Sequence, residues 1–365
     1  MKVITGATLI DGTGRDPVTN ASIAIDDEGR ISEVGRLPRL PRGAEVIDAA
    51  GRTVMPGLID CHVHLFIDIR PMQEEASTPL TLKVFEAAAN ARATLDGGVT
   101  TVRDAGGAPL GFKLAVERGL IPGPRTLISV LFLSQTGGHG DSTLPSGVRL
   151  SFGLPIGRVP EWPECICDGV DDVRRGVRSM LRAGADFIKM MTTGGVMSPS
   201  DEPDATQFAR EEISAMVQEA HAHGKTCMSH AQGTQGIRNA VECGVESIEH
   251  GVYLDEPTAA EMARRGTFLV PTLQAANAVL KREEEQPGSV LPQSLRKVRE
   301  ILEVHTAATR MAIEMGVKVA MGTDAGVGKH GTNAEEVRLL VETGMTPMQA
   351  IVAATKTASE CVQMA

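Results

Sequence analysis

Apolar and polar positions along the chain fall into two textures that change near residue 52. Before that point the pattern alternates in short stretches, KVITGATLI, ASIAIDD, RISEVG and EVIDAAG, broken by Asp-Gly, Glu-Gly and Pro-Arg-Gly turn signals. This predicts a small β domain over residues 1–52. From residue 53 onward, apolar strand-like runs alternate with helical periodicity, the signature of βα units around a parallel sheet. Eight such runs are present, at 53–61, 99–104, 125–133, 186–193, 225–230, 246–250, 267–272 and 317–324. Helices are expected at 81–96, 209–222, 233–243, 255–265, 294–315 and 333–343. A last one is expected at 347–360, with Thr346 as N-cap and Pro347 at its first position. Eight strands close a barrel, so the expected fold is α/β, a (β/α)8 TIM barrel over residues 53–365.

Polar residues interrupt the apolar runs in a consistent place. The stretch VMPGLIDCHVHL, residues 54–65, carries His62 and His64 at its end. Residues two apart on a strand share a face, so both imidazoles converge on one spot, as two ligands of one metal do. Lys189 lies in the fourth run, His230 ends the fifth, His250 ends the sixth and Asp324 ends the eighth. In a barrel those ends open onto a single face, the one that carries active sites. Buried charges are retained where they are paired or bind metal. A second His-x-His pair, His221 and His223, precedes Gly224 at a helix end, where residues two apart point to nearly opposite sides. Those two are expected to be helix C-terminal cations rather than ligands, and His305, inside a helix, is expected to be structural.

Composition narrows the partners. A formal charge of −10 and 3% aromatic residues leave neither a basic stripe nor stacking platforms, which excludes a nucleic-acid partner. No stretch approaches the length of a membrane span and the N-terminus has no basic segment followed by an apolar one, so a cytoplasmic protein without a membrane partner is expected. Six scattered cysteines do not form a disulfide framework, and Cys165 and Cys167 read as unpaired thiols. Residues 281–297, KREEEQPGSVLPQSLRK, read as a solvated loop whose position on the active face also suits a lid.

Taken in order, PGLIDCHVH (56–64), the lysine of DFIKMMTTGG (186–195), SHAQG (229–233), SIEHG (247–251) and GTDAG (322–326) resemble the metal-dependent amidohydrolase superfamily. VMPGLIDCHVHL, TGGHGD (136–141) and HAQGTQGI (230–237) are similar to its peptidase-like and imidazolonepropionase-like branch. The resemblance implies a hydrolase with two divalent metal ions, zinc being the expected metal. His62 and His64 would hold one ion with Asp324, and His230 and His250 the other. Lys189, as its carbamate, would bridge them, and burial among cations favours the neutral amine that carbamate formation needs. Asp324 would act as general base and then acid. His139, in the Gly-rich loop after the third run, would be a catalytic or substrate contact. Gln232, two residues after His230, and His330, after DAGVG, would be substrate contacts.

The reaction so implied is cleavage of an amide C–N bond, with small-molecule substrates such as dipeptides or N-acyl amino acids, in the manner of an Xaa-Pro dipeptidase or carboxypeptidase. A cyclic amide hydrolase of imidazolonepropionase or hydantoinase type is the alternative within enzymes, and a catalytically idle scaffold barrel the alternative outside them. Relatives usually continue past the last helix into strands that complete a β-sandwich-like small domain. Here the sequence stops at Ala365, so the expectation is either a truncated protein or a small domain lacking those C-terminal strands, whose exposed sheet edge could pair in a homo-oligomer.

Overall fold

The computed structural model describes residues 1–36 and 42–364 and divides into two compact units, Met1–Gly57 and Leu58–Ala365. The first unit holds β1 (Lys2–Leu9), β2 (Val18–Ile25), β3 (Ile31–Gly35), β4 (Glu45–Asp48) and β5 (Thr53–Val54). They form one mixed sheet in the order β3-β2-β1-β4, with β5 also on β1. Among the described residues this unit is therefore a single sheet organised on β1, not a sandwich. Position 41 of the expected Pro-Arg-Gly turn lies outside the described residues. Thr53 and Val54, expected to open the first barrel run, instead pair with Thr8 and Leu9. Pro56 and Gly57 divide that run, because proline offers no N–H to a ladder and glycine weakens a strand.

The second unit carries β6 (Leu58–Val63), β7 (Val99–Asp104), β8 (Arg125–Ile128), β9 (Phe132–Leu133), β10 (Ile188–Met191), β11 (Cys227–Ala231), β12 (Ser247–His250), β13 (Phe268–Val270) and β14 (Lys318–Val319). All paired neighbours are parallel, in the ladders β6-β7-β8 and β9 through β14. The third run is split in two because Val130 adopts φ 67°, a left-handed conformation that no strand continues. Asp186 still donates to Ile128 O at 2.7 Å, so the ring is unbroken there. Closure comes from Cys61 N donating to Met321 O, Asp324 N to His62 O and His64 N to Ala325 O. Eight strand positions thus form a (β/α)8 barrel.

Helices Leu80–Asp96, Arg210–Ala222, Thr234–Cys243, Glu256–Arg265, Pro292–Glu314 and Glu335–Thr343 follow the apolar periodicity. The last expected helix is two, Pro347–Ala353 and Lys356–Cys361, the first opened by Thr346 Oγ1 accepting from Gln349 N. Segment 281–297 departs from the expected loop. Its start belongs to a helix, Leu273–Glu285, and its end to Pro292–Glu314, where proline takes the first helical position. Glu283 accepts from Gly288 N and Val290 N, which makes the connection short. Val63, Val102, Ile128, Ile188, Ile248 and Leu269 from the strands are buried against helix residues such as Val177, Ile213, Ile237 and Leu340. No described helix is long and apolar enough to cross a membrane.

Candidate metal centre

The C-terminal strand ends gather the polar residues. His62 ends β6 with His64 just beyond it, Lys189 is on β10, His230 on β11, His250 closes β12 and Asp324 follows β14. One ligand atom each from His62, His64 and Asp324 lies within 4.8 Å of the others. Asp324 Oδ1 is 3.4 Å from His62 Nε2 and 3.3 Å from His64 Nε2. The His62 and His250 ring centres are 5.2 Å apart, and those of His230 and His250 are 4.6 Å apart. The ammonium of Lys189 lies close enough to depress the pKa of His62, His230 and His250 and of Asp324.

Each of the four imidazoles has one nitrogen tied to the protein. His62 Nδ1 donates to Glu249 Oε2 at 2.8 Å, His64 Nδ1 to Gly106 O at 2.8 Å, and His230 Nε2 to Gly194 O at 3.0 Å. His250 Nδ1 pairs with Thr272 Oγ1 at 2.7 Å. Carboxylate and carbonyl acceptors require a proton on the tied nitrogen, which leaves a lone pair on the other. That is how metal-binding histidines are held. Burial, helped by the Lys189 charge, keeps His62, His230 and His250 far below the usual imidazole pKa and so neutral. Burial pushes His64 down too, but Asp324 outweighs it and raises the ring's pKa. For Asp324 burial pushes upward, while His62, His64 and Lys189 together hold it well below the usual carboxylate range.

Lys189 is 2% exposed, and its Nζ has no hydrogen-bond partner. A buried ammonium without a partner is costly, and burial lowers this one to about 8. An orphaned amine close to His62, His230, His250 and Asp324, with half-tied imidazoles on the neighbouring strand ends, is a donor set that fits divalent cations.

The backbone is strained where these groups meet. His250 (φ 71°), Thr272 (φ 53°) and Asp324 (φ 57°) all sit in the left-handed region, which costs on the order of 1–3 kcal/mol each and collects at functional sites. Asp60 secures the β6 and β14 ends. It accepts from His62 N, Thr323 N, Thr323 Oγ1 and Asn333 Nδ2, and burial raises it to about 6.

The expected substrate contacts divide. His139 stacks on His230 with ring centres 4.3 Å apart. Its Nδ1 donates to Asp201 Oδ2 at 3.3 Å, and Gln207 Oε1 accepts from its backbone N. Gly195 makes room for it, since a methyl group there would lie 2.4 Å from His139 Cε1. Gln232 is 6% exposed, and its Oε1 is a buried acceptor without a partner. His330 lies at the β6 end. Its Nδ1 accepts from Thr94 Oγ1 and its Nε2 donates to His64 O, so both nitrogens are engaged in holding the β6 end.

Residues that the sequence reading passed over support these groups. Lys297, 1% exposed, donates to Gly195 O, Ser198 O and Asp201 O at 2.9, 2.6 and 2.7 Å. It pins the loop that carries Asp201. Glu249 and Arg103 meet at 3.0 Å behind His62. Opposite charges inside two apolar strand runs, VTTVRD and SIEH, were the available signal for that pair. His305 Nε2 donates to His250 O, and burial lowers the ring to about 4. Cys165 and Cys167 are buried free thiols.

A parallel eight-stranded barrel with a candidate metal-ligand set at its strand ends has the architecture of the metal-dependent barrel hydrolases. The chain belongs to the amidohydrolase family, whose model matches residues 53–365. Members of the wider superfamily generally use divalent metal ions, a candidate group for such ions is present here, and the chain is a hydrolytic enzyme acting on amide bonds. The chain is 36% identical to ochratoxinase from Aspergillus niger over 370 residues, covering 98% of this chain and 75% of that protein. It is also similar to a prolidase solved in complex with N-methylphosphonate-L-proline, with TM-score 0.89 and 35% identity over 100% of this chain and 88% of that one. A Xaa-Pro dipeptidase with methionine bound in its active site matches with TM-score 0.88 and 33% identity, over 100% of this chain and 89% of that one.

Proposed function

We propose that this amidohydrolase cleaves the amide C–N bond of dipeptides or N-acyl amino acids in the manner of an Xaa-Pro dipeptidase, with two divalent ions, zinc in the first instance, and a carbamate on Lys189. The observation that carries this reading is the partnerless Lys189 Nζ beside strand-end imidazoles that each have one nitrogen tied to the protein and the other turned away from that tie. His62, His64 and Asp324 would hold one ion and His230 and His250 the other. When bound, such ions supply an ionised water and polarise a carbonyl oxygen. Lys189, whose pKa is lowered to about 8, presents enough neutral amine near neutral pH to add carbon dioxide with release of one proton, giving the anionic oxygens that two cations require.

The remaining steps belong to the protein. Asp324 Oδ1 faces the His62 and His64 rings, which leaves Oδ2 to take a proton from the attacking water and deliver it to the leaving nitrogen. Protonation there matters because an amide anion is a very poor leaving group. His139, fixed by Asp201 and stacked on His230, presents Nε2 to the substrate's carbonyl or carboxylate oxygen. Gln232 Oε1 is an unused acceptor for a substrate N–H. Similarity to the prolidase and to the Xaa-Pro dipeptidase supports dipeptides.

Hydrolysis assays on metal-loaded protein with Xaa-Pro dipeptides, N-acyl amino acids and cyclic imides test this. Turnover of either linear class supports the reading, whereas turnover of cyclic imides alone overturns it in favour of a cyclic amide hydrolase.

A further inference from the structure

Behind His62 stands a relay of buried charges. Arg103 Nε donates to Cys61 O at 2.7 Å, and its NH2 donates to Glu249 Oε1 at 3.0 Å and to Ser247 Oγ at 3.1 Å. Ser247 Oγ donates to the same Oε1 at 2.6 Å, and Glu249 Oε2 accepts from His62 Nδ1 at 2.8 Å. Glu249 is 0% exposed, Arg103 3% and His62 1%. The two carboxylate oxygens therefore have separate duties, one for Arg103 and Ser247 and the other for His62.

We propose that Glu249 is a positioning residue that fixes the tautomer and aim of His62, and that Arg103 acts through it by holding Oε1, so that Arg103, Glu249 and His62 together set the affinity for a divalent ion. This rests on the reading of His62 as a metal ligand. A buried Arg–Glu pair serving stability alone gains little over apolar residues of the same volume. Here the pair ends on a ring nitrogen, and a carboxylate acceptor there keeps Nδ1 protonated and Nε2 a lone pair directed toward Asp324.

The chemistry of an amide makes the proposal testable. In Glu249→Gln the new side chain has one oxygen and one NH2. With the oxygen toward His62, the NH2 meets the Arg103 guanidinium, donor against donor. The amide therefore turns its oxygen to Arg103 and its NH2 to His62 Nδ1, which moves the ring proton to Nε2 and removes the ligand lone pair. Removing Arg103 as well frees the amide to place NH2 on the Ser247 hydroxyl and its oxygen on His62.

The probe is zinc or cobalt ion alone, competed against a chromophoric chelator, with circular dichroism confirming the fold of each variant. Glu249→Gln is expected to bind the ion about 10–100-fold more weakly than the parent, the size seen when such outer partners are lost. The double variant Arg103→Met, Glu249→Gln is expected to regain at least about tenfold of that loss. Parental affinity in the single variant, or a folded double variant that binds no tighter than the single, overturns the proposal. A parent that binds no divalent ion overturns the metal-centre reading itself, and this proposal with it. A measurement without the Glu249 and Arg103 variants is the 15N spectrum of the His62 ring in the metal-free parent, assigned by its disappearance in His62→Gln. A protonated Nδ1 is expected, and a protonated Nε2 overturns the proposal.

Discussion

His62 and His64 end a barrel strand, whereas His221 and His223 end a helix, and the same His-x-His spelling has opposite consequences in the two regions. On the strand, the two rings turn to one side, with centres 5.4 Å apart, and share Asp324. On the helix, they separate. His221 Nε2 pairs with Glu246 at 2.6 Å and His223 Nε2 with Glu219 at 3.5 Å, both on the surface. The strand pair also has its outer nitrogens tied by buried acceptors, Glu249 and Gly106 O. Backbone period decides whether two imidazoles can meet, and the second set of partners decides whether they are held ready for a cation.

The sharpest test of that difference is to remove each pair. His62→Ala with His64→Ala is expected to lose at least one of the two ions and to cost activity by more than the 10–100-fold that losing an outer partner costs. His221→Ala with His223→Ala is expected to leave kcat/KM within about twofold and stability within about 0.5 kcal/mol, as for ordinary surface sites. Elemental analysis and steady-state kinetics on both proteins read the contrast. Next in size is Lys189→Ala, expected to lose about a hundredfold or more of the metal-assisted rate and to regain part of it with formate or acetate, which replace the bridging oxygens. Unchanged activity in this variant removes the carbamate from the account.

A smaller effect is expected where the site's support lies far away in sequence. Lys297→Met leaves three carbonyl oxygens of the 195–201 loop without their donor, a loss of about 4 kcal/mol in urea unfolding. It also frees Asp201 and hence His139, so KM is expected to rise more than kcat falls. Smallest is a pH effect. His305 has a pKa near 4 in the folded protein because it is buried, against about 6.5 when unfolded. The unfolded chain therefore takes up the proton first, and this group's contribution to stability falls as pH drops below 6.5, by about 2 kcal/mol on reaching pH 5. Comparing urea unfolding of the parent with His305→Gln at pH 7 and pH 5 isolates it, since the parent is expected to lose that much more than the variant.

Several of these features were legible in the chain itself. Apolar runs ending in His62, His230, His250 and Asp324 mark strand ends, and strand ends of a parallel barrel share a face. The supports were harder to read because they depend on backbone turns and distant contacts. Glu249 and His250 are neighbours that would point to opposite faces of a regular strand, yet the φ of 71° at His250 turns its ring into the same centre that Glu249 supports from behind. Lys297 reads as one more charge in a polar stretch until the 292–314 helix inserts its ammonium among the carbonyls of residues 195–201. His330 follows a Gly-rich segment on the active face but spends both nitrogens on Thr94 and the His64 backbone. Val130 and Pro56 break runs that periodicity alone joins.

The measurement that bears most directly on the central claim is the metal content of the purified chain after loading with zinc in bicarbonate buffer, compared with His62→Ala and His230→Ala. About two divalent ions per chain in the parent, with fewer in each variant, is the result this account predicts. A parent that retains none under zinc, cobalt or manganese loading, or variants that retain as much as the parent, would contradict it.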